Sequence, residues 1–255
     1  MPTLPVEGHL CDFPVWSYSR KRATVTLLHV DYEDGTYCTV RAPDGMPGPS
    51  FPGYLDVLLF YGSRDLAAHD HVELSMYAIL KTLGQDPSSG RNLQYLRCDM
   101  DKAFSLSIKT NRFIHPATGQ RASVDSFCVL RRMRLAEEGR RTSTFYFDAL
   151  FLTSLRSGYV KRLDWDFCLA LDRQGQPLAR FLYAHIAKRL GEKPLYQRRF
   201  LGFLQDVGLG YITQHPPKRR NAMVKDTVYP ALDLVKGHAF RHYELDAREN
   251  IVFLP

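Results

Sequence analysis

The chain changes its hydrophobic period several times. Near the start, residues 13–41 read as strands: "ATVTLLHV" (Ala23–Val30) and "TYCTVRA" (Thr36–Ala42) are β-rich and flank Asp34-Gly35, a hairpin signal. A Pro- and Gly-rich stretch, "PDGMPGPSFPG" (Pro43–Gly53), marks a loop or linker. The period then becomes helical. Tyr54, Leu55, Leu58 and Leu59 share a face, and "VEL" (Val72–Leu74) suits a short strand. Met76, Ile79, Leu80 and Leu83 line a second helix, with Ser75 as its N-cap and Gly84 at its end. A third helix opens near "SSGRN". It buries Leu93, Leu96, Met100, Ala103 and Phe104 and turns Arg91, Gln94, Tyr95, Cys98 and Lys102 outward. A hairpin follows: "SLSIKTNRFI", a turn at "HPATGQ" and a return along "ASVDSFCVLRRMRL". "TSTFYFD" reads as a further strand.

After a connecting helix in "LFLTSLRSGYVKRL" (Leu150–Leu163), the order repeats. Leu178, Phe181, Leu182 and Ile186 form a helix face, and "KPLYQ" suits a short strand. Phe200, Leu201, Leu204 and Val207 make a second helix closed by Gly208 or Gly210. Val224, Val228, Ala231, Leu232 and Val235 make a third, which Pro230 should kink or delay. "HYELD" and "NIVFL" pair as a hairpin around Ala247 to Glu249. Helix, short strand, helix, helix, hairpin thus occurs twice. That is the order of the winged-helix variant of helix-turn-helix, in which the third helix reads the major groove and the hairpin is the wing. The expected fold is α+β: two tandem winged-helix domains preceded by an N-terminal β-rich segment. The divisions are 1–51 for that segment and its linker, 52–148 for the first domain, 149–172 for the connection and 173–255 for the second domain.

Charge adds a partner to this picture. The 255 residues carry a net charge of +7, which favours an acidic partner, nucleic acid first. The excess is local. Between Arg173 and Lys225 stand 11 basic residues, opposed only by Glu192 and Asp206. Lys218, Arg219 and Arg220 sit at the start of the second reading helix, where the helix dipole disfavours cations; phosphates would neutralise them. Asn221 would cap that helix or read an adenine edge. The competing reading of the cluster is a solvated loop. The candidate DNA-contacting set is Ser88, Ser89, Arg91, Asn92, Gln94 and Tyr95 on the first reading helix, and Lys218, Arg219, Arg220, Asn221 and Lys225 on the second. Arg198 and Arg199 join it from the basic stretch, Lys109, Arg112 and Arg121 from the first wing, and Arg241 and Arg248, beside His242, from the second.

"YLDVLLFYGSRD", "VELSMYAILKTLG", "GRNLQYLRCDMDKAF" and "YPALDLVKGHAFRHYELD" resemble the plasmid replication initiator protein A family, the RepA/TrfA-like initiators. The resemblance runs from about Pro52 to the C-terminus and leaves the N-terminal strands outside. It implies tandem winged helices that bind repeated origin sites (iterons), help melt the neighbouring duplex and recruit host replication proteins. It also implies dimers that repress the initiator's own promoter and monomers that bind the origin. The reading helices would be about Ser88–Phe104 and Lys218–Val235.

Other readings stay open. A transcriptional repressor of the same fold would bind duplex DNA without opening an origin. A nickase would use His69 and His71 with Tyr77 or Tyr95 as nucleophile, but such enzymes carry an apolar residue between the histidines, and here it is Asp70. Asp164-Trp165-Asp166 and the Asp99/Asp101 pair could hold Mg²⁺ but read better as solvated acids. GxxxxGK[ST], GxSxG and HExxH do not occur. No enzyme activity, metal or cofactor is therefore expected. Five widely spaced cysteines without a C-x-x-C pair suggest free thiols in a reducing cytoplasm. Met1–Leu10 does not read as a secretory leader, and no apolar run approaches the ~20 residues of a membrane helix. The expected location is the bacterial cytoplasm, on nucleoid or plasmid.

Overall fold

The computed structural model describes residues 2–13, 15–18, 26–32, 35–115, 118–136 and 142–255, apart from the side chains at 125 and 192. Residues 23–25 of the first expected strand, Asp34 of its turn, and positions 116 and 117 of the "HPATGQ" turn lie outside the described residues.

The N-terminal segment supplies β1 (Thr3–Glu7), a 3-10 turn (Gly8–Cys11), β2 (Leu27–Asp31) and β3 (Tyr37–Arg41). The first helical series follows: α1 (Phe51–Gly62), the short α2 (Asp65–Ala68), β4 (His71–Leu74), α3 (Met76–Thr82) and α4 (Gly90–Ser105). Pro52 sits in the first turn of α1, where a missing N–H breaks no helical bond. Ser75 caps α3, its Oγ accepting from the Ala78 N–H at 3.0 Å. Gly84 ends the turn after α3 at φ +67°, a left-handed conformation that suits glycine. Leu96, Met100 and Ala103 of α4 are buried, as the helical period predicts.

Four strands come next: β5 (Ser107–Ile114), β6 (Arg121–Phe127), β7 (Leu130–Arg134) and β8 (Ser143–Phe147). Here the structure corrects the expectation twice. The "ASVDSFCVLRRMRL" stretch is two strands, and the β5–β6 hairpin is not the wing of the first unit. β6 stays with β5 in a sheet ordered β2-β3-β5-β6, while β7 crosses to a sheet ordered β4-β8-β7. The alternation shows why. Phe127, Val129 and Leu130 are all buried, so the inward parity slips between 129 and 130, and one strand cannot keep both parities on one face.

The connection is α5 (Ala149–Arg156), β9 (Val160–Asp164) and α6 (Trp165–Arg173) rather than one helix. The second series is α7 (Pro177–Glu192), β10 (Tyr196–Arg199), α8 (Phe200–Asp206), a 3-10 turn (Gly210–Gln214), α9 (Pro217–Met223), a π-helical turn (Val224–Val228), α10 (Tyr229–Val235), β11 (His242–Leu245) and β12 (Asn250–Leu254). Its sheet is ordered β10-β12-β11. Both halves therefore build the same sheet. The strand before the second helix takes one edge, the last strand the centre, and the strand just before the last the other edge. Pro230 leaves its mark as the π turn just before it, where the Tyr229 N–H reaches back to the Val224 carbonyl. The wider turn accommodates a ring that can neither donate nor pack in an ordinary helix.

The N-terminal segment joins the halves. β1 pairs antiparallel with β9, from Thr3 opposite Asp164 to Glu7 opposite Val160. At Gly8 a Cβ would run into the Tyr159 ring, so a larger residue there would displace Tyr159. The following turn lies against α7. The Lys188 Nζ donates to Asp12 Oδ2 at 2.6 Å, to the Gly8 carbonyl at 2.9 Å and to Tyr159 Oη at 3.0 Å. Arg189 donates to the other Asp12 oxygen at 2.7 Å. Burial alone would raise the Asp12 carboxyl, but Lys188 and Arg189 hold it well below the usual carboxylate range. Beside them His185 donates through Nδ1 to the Cys11 carbonyl at 2.9 Å, and burial, with Arg189 adding to it, pushes its pKa down to about 3. Farther along α7, Arg180 donates to Asp56 of α1 at 2.6 Å, with both side chains buried. A single buried core runs through both halves.

Candidate nucleic-acid interface

The two third helices present different chemistry. At α4 the N-terminus is satisfied by its own loop. Ser89 caps it, accepting from the Asn92 N–H at 3.4 Å. The Ser88 hydroxyl donates to Asp86 at 2.6 Å, and Asn92 Nδ2 donates to the Asp86 carbonyl at 3.0 Å. The Ser88 hydrogen bonds keep the exposed Asp86 carboxylate below its ordinary pKa, so a negative charge stands at this end. Farther along, Arg91 Nε donates to Tyr95 Oη at 2.8 Å, and the guanidinium lies over that ring. Gln94 is exposed on the same side. The predicted outward face is thus outward, but Ser88, Ser89 and Asn92 are engaged locally, and Arg91 and Tyr95 with each other.

The second reading segment, α9 through α10, starts at Pro217 and has no side-chain cap. Asn221 lies inside the helix and is not its cap. Lys218, Arg219, Asn221 and Lys225 are exposed and Arg220 is half-buried. No ion pair among the described residues holds any of the four cations. Val224, Val228, Ala231, Leu232 and Val235 anchor the opposite face in the core. The β11–β12 turn carries Arg248, with Arg241 and His242 exposed at the other end of the hairpin. Asp246 shapes the turn by accepting from the Arg248 and Asn250 N–H groups at 2.8 and 2.9 Å.

Much of the basic stretch faces inward. Arg180 and Lys188 are buried against Asp56 and Asp12, and Arg189 also pairs with Asp12. Arg198, expected at the DNA surface, makes a two-pronged contact with Asp206 at 2.8 and 3.0 Å. Arg173 donates to the Thr82 carbonyl. Arg199 remains exposed. Counting charges along the sequence therefore overstates the positive surface of this region.

Lys109, Arg112 and Arg121 lie on the β5–β6 hairpin, in the four-stranded sheet that the N-terminal segment begins. The hairpin that completes the first three-stranded sheet is β7–β8. It carries Arg131, Arg132 and Arg134, all exposed, with Arg132 lying 4.1 Å from the Tyr146 ring centroid. These arginines were not among the expected contacts. The signal for them was three arginines in four positions of "RRMR", directly after the parity slip.

The other candidate chemistry is dispersed. His71 Nδ1 sits 3.0 Å from Asp70, and its ring stands 5.7 Å from that of His69. Among the described residues no group of three His, Cys, Asp or Glu could hold a metal ion. Asp164 caps α6, accepting from the Phe167 N–H, and Asp99 accepts from the Gly48 N–H. All five cysteines are free, and no described helix is long and apolar enough to cross a membrane.

The fold is mixed α/β, with a three-stranded sheet of the same order in each half. It is the fold of domains 2 and 3 of RctB. A crystal structure of their selenomethionine derivative matches 96% of this chain and 96% of its own, at a TM-score of 0.58 and 11% identity. A second RctB structure of the same domains matches 92% and 94%, at 0.49 and 13%. No family model matches the chain, and no curated protein matches its sequence.

Proposed function

We propose that the chain is a sequence-specific duplex-DNA-binding replication initiator made of two tandem winged helices. One observation carries the reading: the third helix of the second repeated unit presents Lys218, Arg219 and Lys225, exposed and without ion pairs among the described residues, on a segment anchored by its opposite face. Lys and Arg free of internal partners are what phosphate contacts require. RctB, whose domains share the fold, is a bacterial replication initiator, which favours initiation over other uses of DNA binding. The protein would bind repeated origin sites of a plasmid, as RepA/TrfA-like initiators do, promote opening of the adjoining duplex and recruit host replication proteins. A homodimer would act at its own promoter. The reading requires no catalytic group, metal or cofactor, and places the protein on DNA in the bacterial cytoplasm.

The test is a salt titration of duplex binding. If about six phosphates are neutralised, log K falls against log[salt] with a slope of roughly −5. Replacing Lys218, Arg219 and Arg220 together by alanine should flatten that slope by about 3 and leave the melting temperature unchanged. Affinity that ignores salt, or a folded triple variant that binds like wild type, would refute the reading. Strand-opening assays on an origin duplex separate an initiator from a repressor.

A further inference from the structure

A second cationic feature lies away from both reading helices. A cleft of about 310 Å³ opens between the β5–β6 hairpin side of the molecule and the second repeated unit. Tyr32 and Arg112 line one wall, and Arg189, Lys193 and Arg198 the other. Four cations line it against one carboxylate, that of Asp206. Two of the four are braced from behind, Arg189 by Asp12 and Arg198 by Asp206. The other two have no ion pair among the described residues: Arg112, whose guanidinium lies 4.1 Å from the Tyr32 ring centroid, and Lys193, exposed just past α7. A half-enclosed site with this excess of cations is completed by an anion, and arginine forks suit phosphate oxygens.

The position suggests the source. Gln197, which also lines the cleft, donates to Asp246 in the β11–β12 turn at 3.4 Å, and the Phe200 N–H donates to Glu249 of the same turn at 2.9 Å. The cleft therefore adjoins the turn that carries Arg248. We propose that it binds one backbone phosphate of the duplex held by the second unit, with Arg112 and Lys193 as the contacting cations and Arg189 and Arg198 behind them. This rests on the DNA-binding reading and extends it. The contact would draw the β5–β6 hairpin onto the DNA together with the second unit, giving Arg112 a role that the hairpin's place outside the first wing leaves unassigned.

The test compares Arg112→Ala/Lys193→Ala with wild type and with the Lys218/Arg219/Arg220 triple variant. The expected result is a salt slope flatter by about 1, the equivalent of one phosphate, with an unchanged melting temperature. Arg112→Lys/Lys193→Arg, which keeps both charges, should restore the slope and guards against a folding artefact. In a separate arm without DNA, inorganic pyrophosphate is titrated while the melting temperature is followed. If wild type binds DNA, the triple variant loses slope and the double variant does not, the cleft contact is wrong while the DNA reading stands. If, in addition, pyrophosphate stabilises wild type but not the double variant, the cleft serves a free phosphate and the backbone contact is overturned. If wild type does not bind duplex at all, the DNA reading itself has failed.

Discussion

Arg180 and Arg219 belong to one basic stretch, and they do opposite work. Along α7 and β10, Arg180, Lys188, Arg189 and Arg198 turn toward Asp56, Asp12 and Asp206, and three of those partners' pairs span more than 100 positions. Along α9 and the π turn, Lys218, Arg219 and Lys225 face water. The first set fastens α7 to the N-terminal segment and α1, and β10 to α8. The second is left for a partner. A local charge excess is thus two populations, one paired with carboxylates inside the protein and one left in water. The difference is a matter of desolvation: a buried cation must have its counter-charge inside the protein, whereas an exposed one can wait in water for a phosphate.

The largest effect should come from the buried set. Arg180→Ala leaves Asp56 without its partner and should cost about 3–5 kcal/mol. At this chain length that is on the order of 10 °C in melting temperature. The salt slope of DNA binding in the variant, measured below its melting temperature, should match wild type. A slope change comparable to that of the exposed triple variant would erase the distinction between the two populations.

Acid sharpens the same point. Asp12 is held below its ordinary pKa in the folded protein, so the unfolded chain binds its proton more readily. Its contribution is complete above the unfolded carboxylate value and is lost as pH falls toward the folded one. Melting temperature should therefore drop between about pH 5 and pH 2, and drop less steeply in Asp12→Asn. Equal slopes in the two proteins would show that the Lys188–Asp12–Arg189 group is not what acid breaks.

The smallest effect tests the first reading helix. Arg91 is tied to Tyr95 rather than to a carboxylate, so it remains available at low cost. If it reads a base, Arg91→Ala should weaken binding to the specific site by about 1–3 kcal/mol and binding to random duplex by much less. Equal losses on both duplexes would make it a phosphate contact. No loss would leave the first helix outside the interface.

Local elements were legible and long-range pairings were not. The Ser75 cap, the stop at Gly84, the buried stripe of α4 and the β11–β12 hairpin all follow from residues within a few positions of one another. The three-stranded order of each unit was only half readable. The β11–β12 hairpin is sequential, but in the first unit β5 and β6 intervene and resemble a wing as closely as β7 and β8 do. Nothing local tells a strand which sheet to join. The parity slip at Val129 and Leu130 was the available clue. The candidate site divides in the same way. Exposure of Arg91 and Gln94 followed from helical periodicity, and that of Lys218 and Arg219 from their charge at the start of a helix, whereas the inward turn of Arg198 depended on Asp206 being buried beside it, and that of Arg180 on Asp56, far away in sequence.

The pairing of β1 with β9 also sets a timetable. About 150 residues separate Glu7 from Val160. A ribosome adding about 5–20 residues per second would make Val160 roughly 8–30 s after Glu7. Throughout that interval Leu4, Val6, Leu10 and Phe13, all buried in the finished protein, have no β9 or α7 to cover them. Residues made before β9 and α7 are thus placed only after them, and until then the nascent chain carries an apolar ribbon that a chaperone could hold or a neighbouring chain could seize.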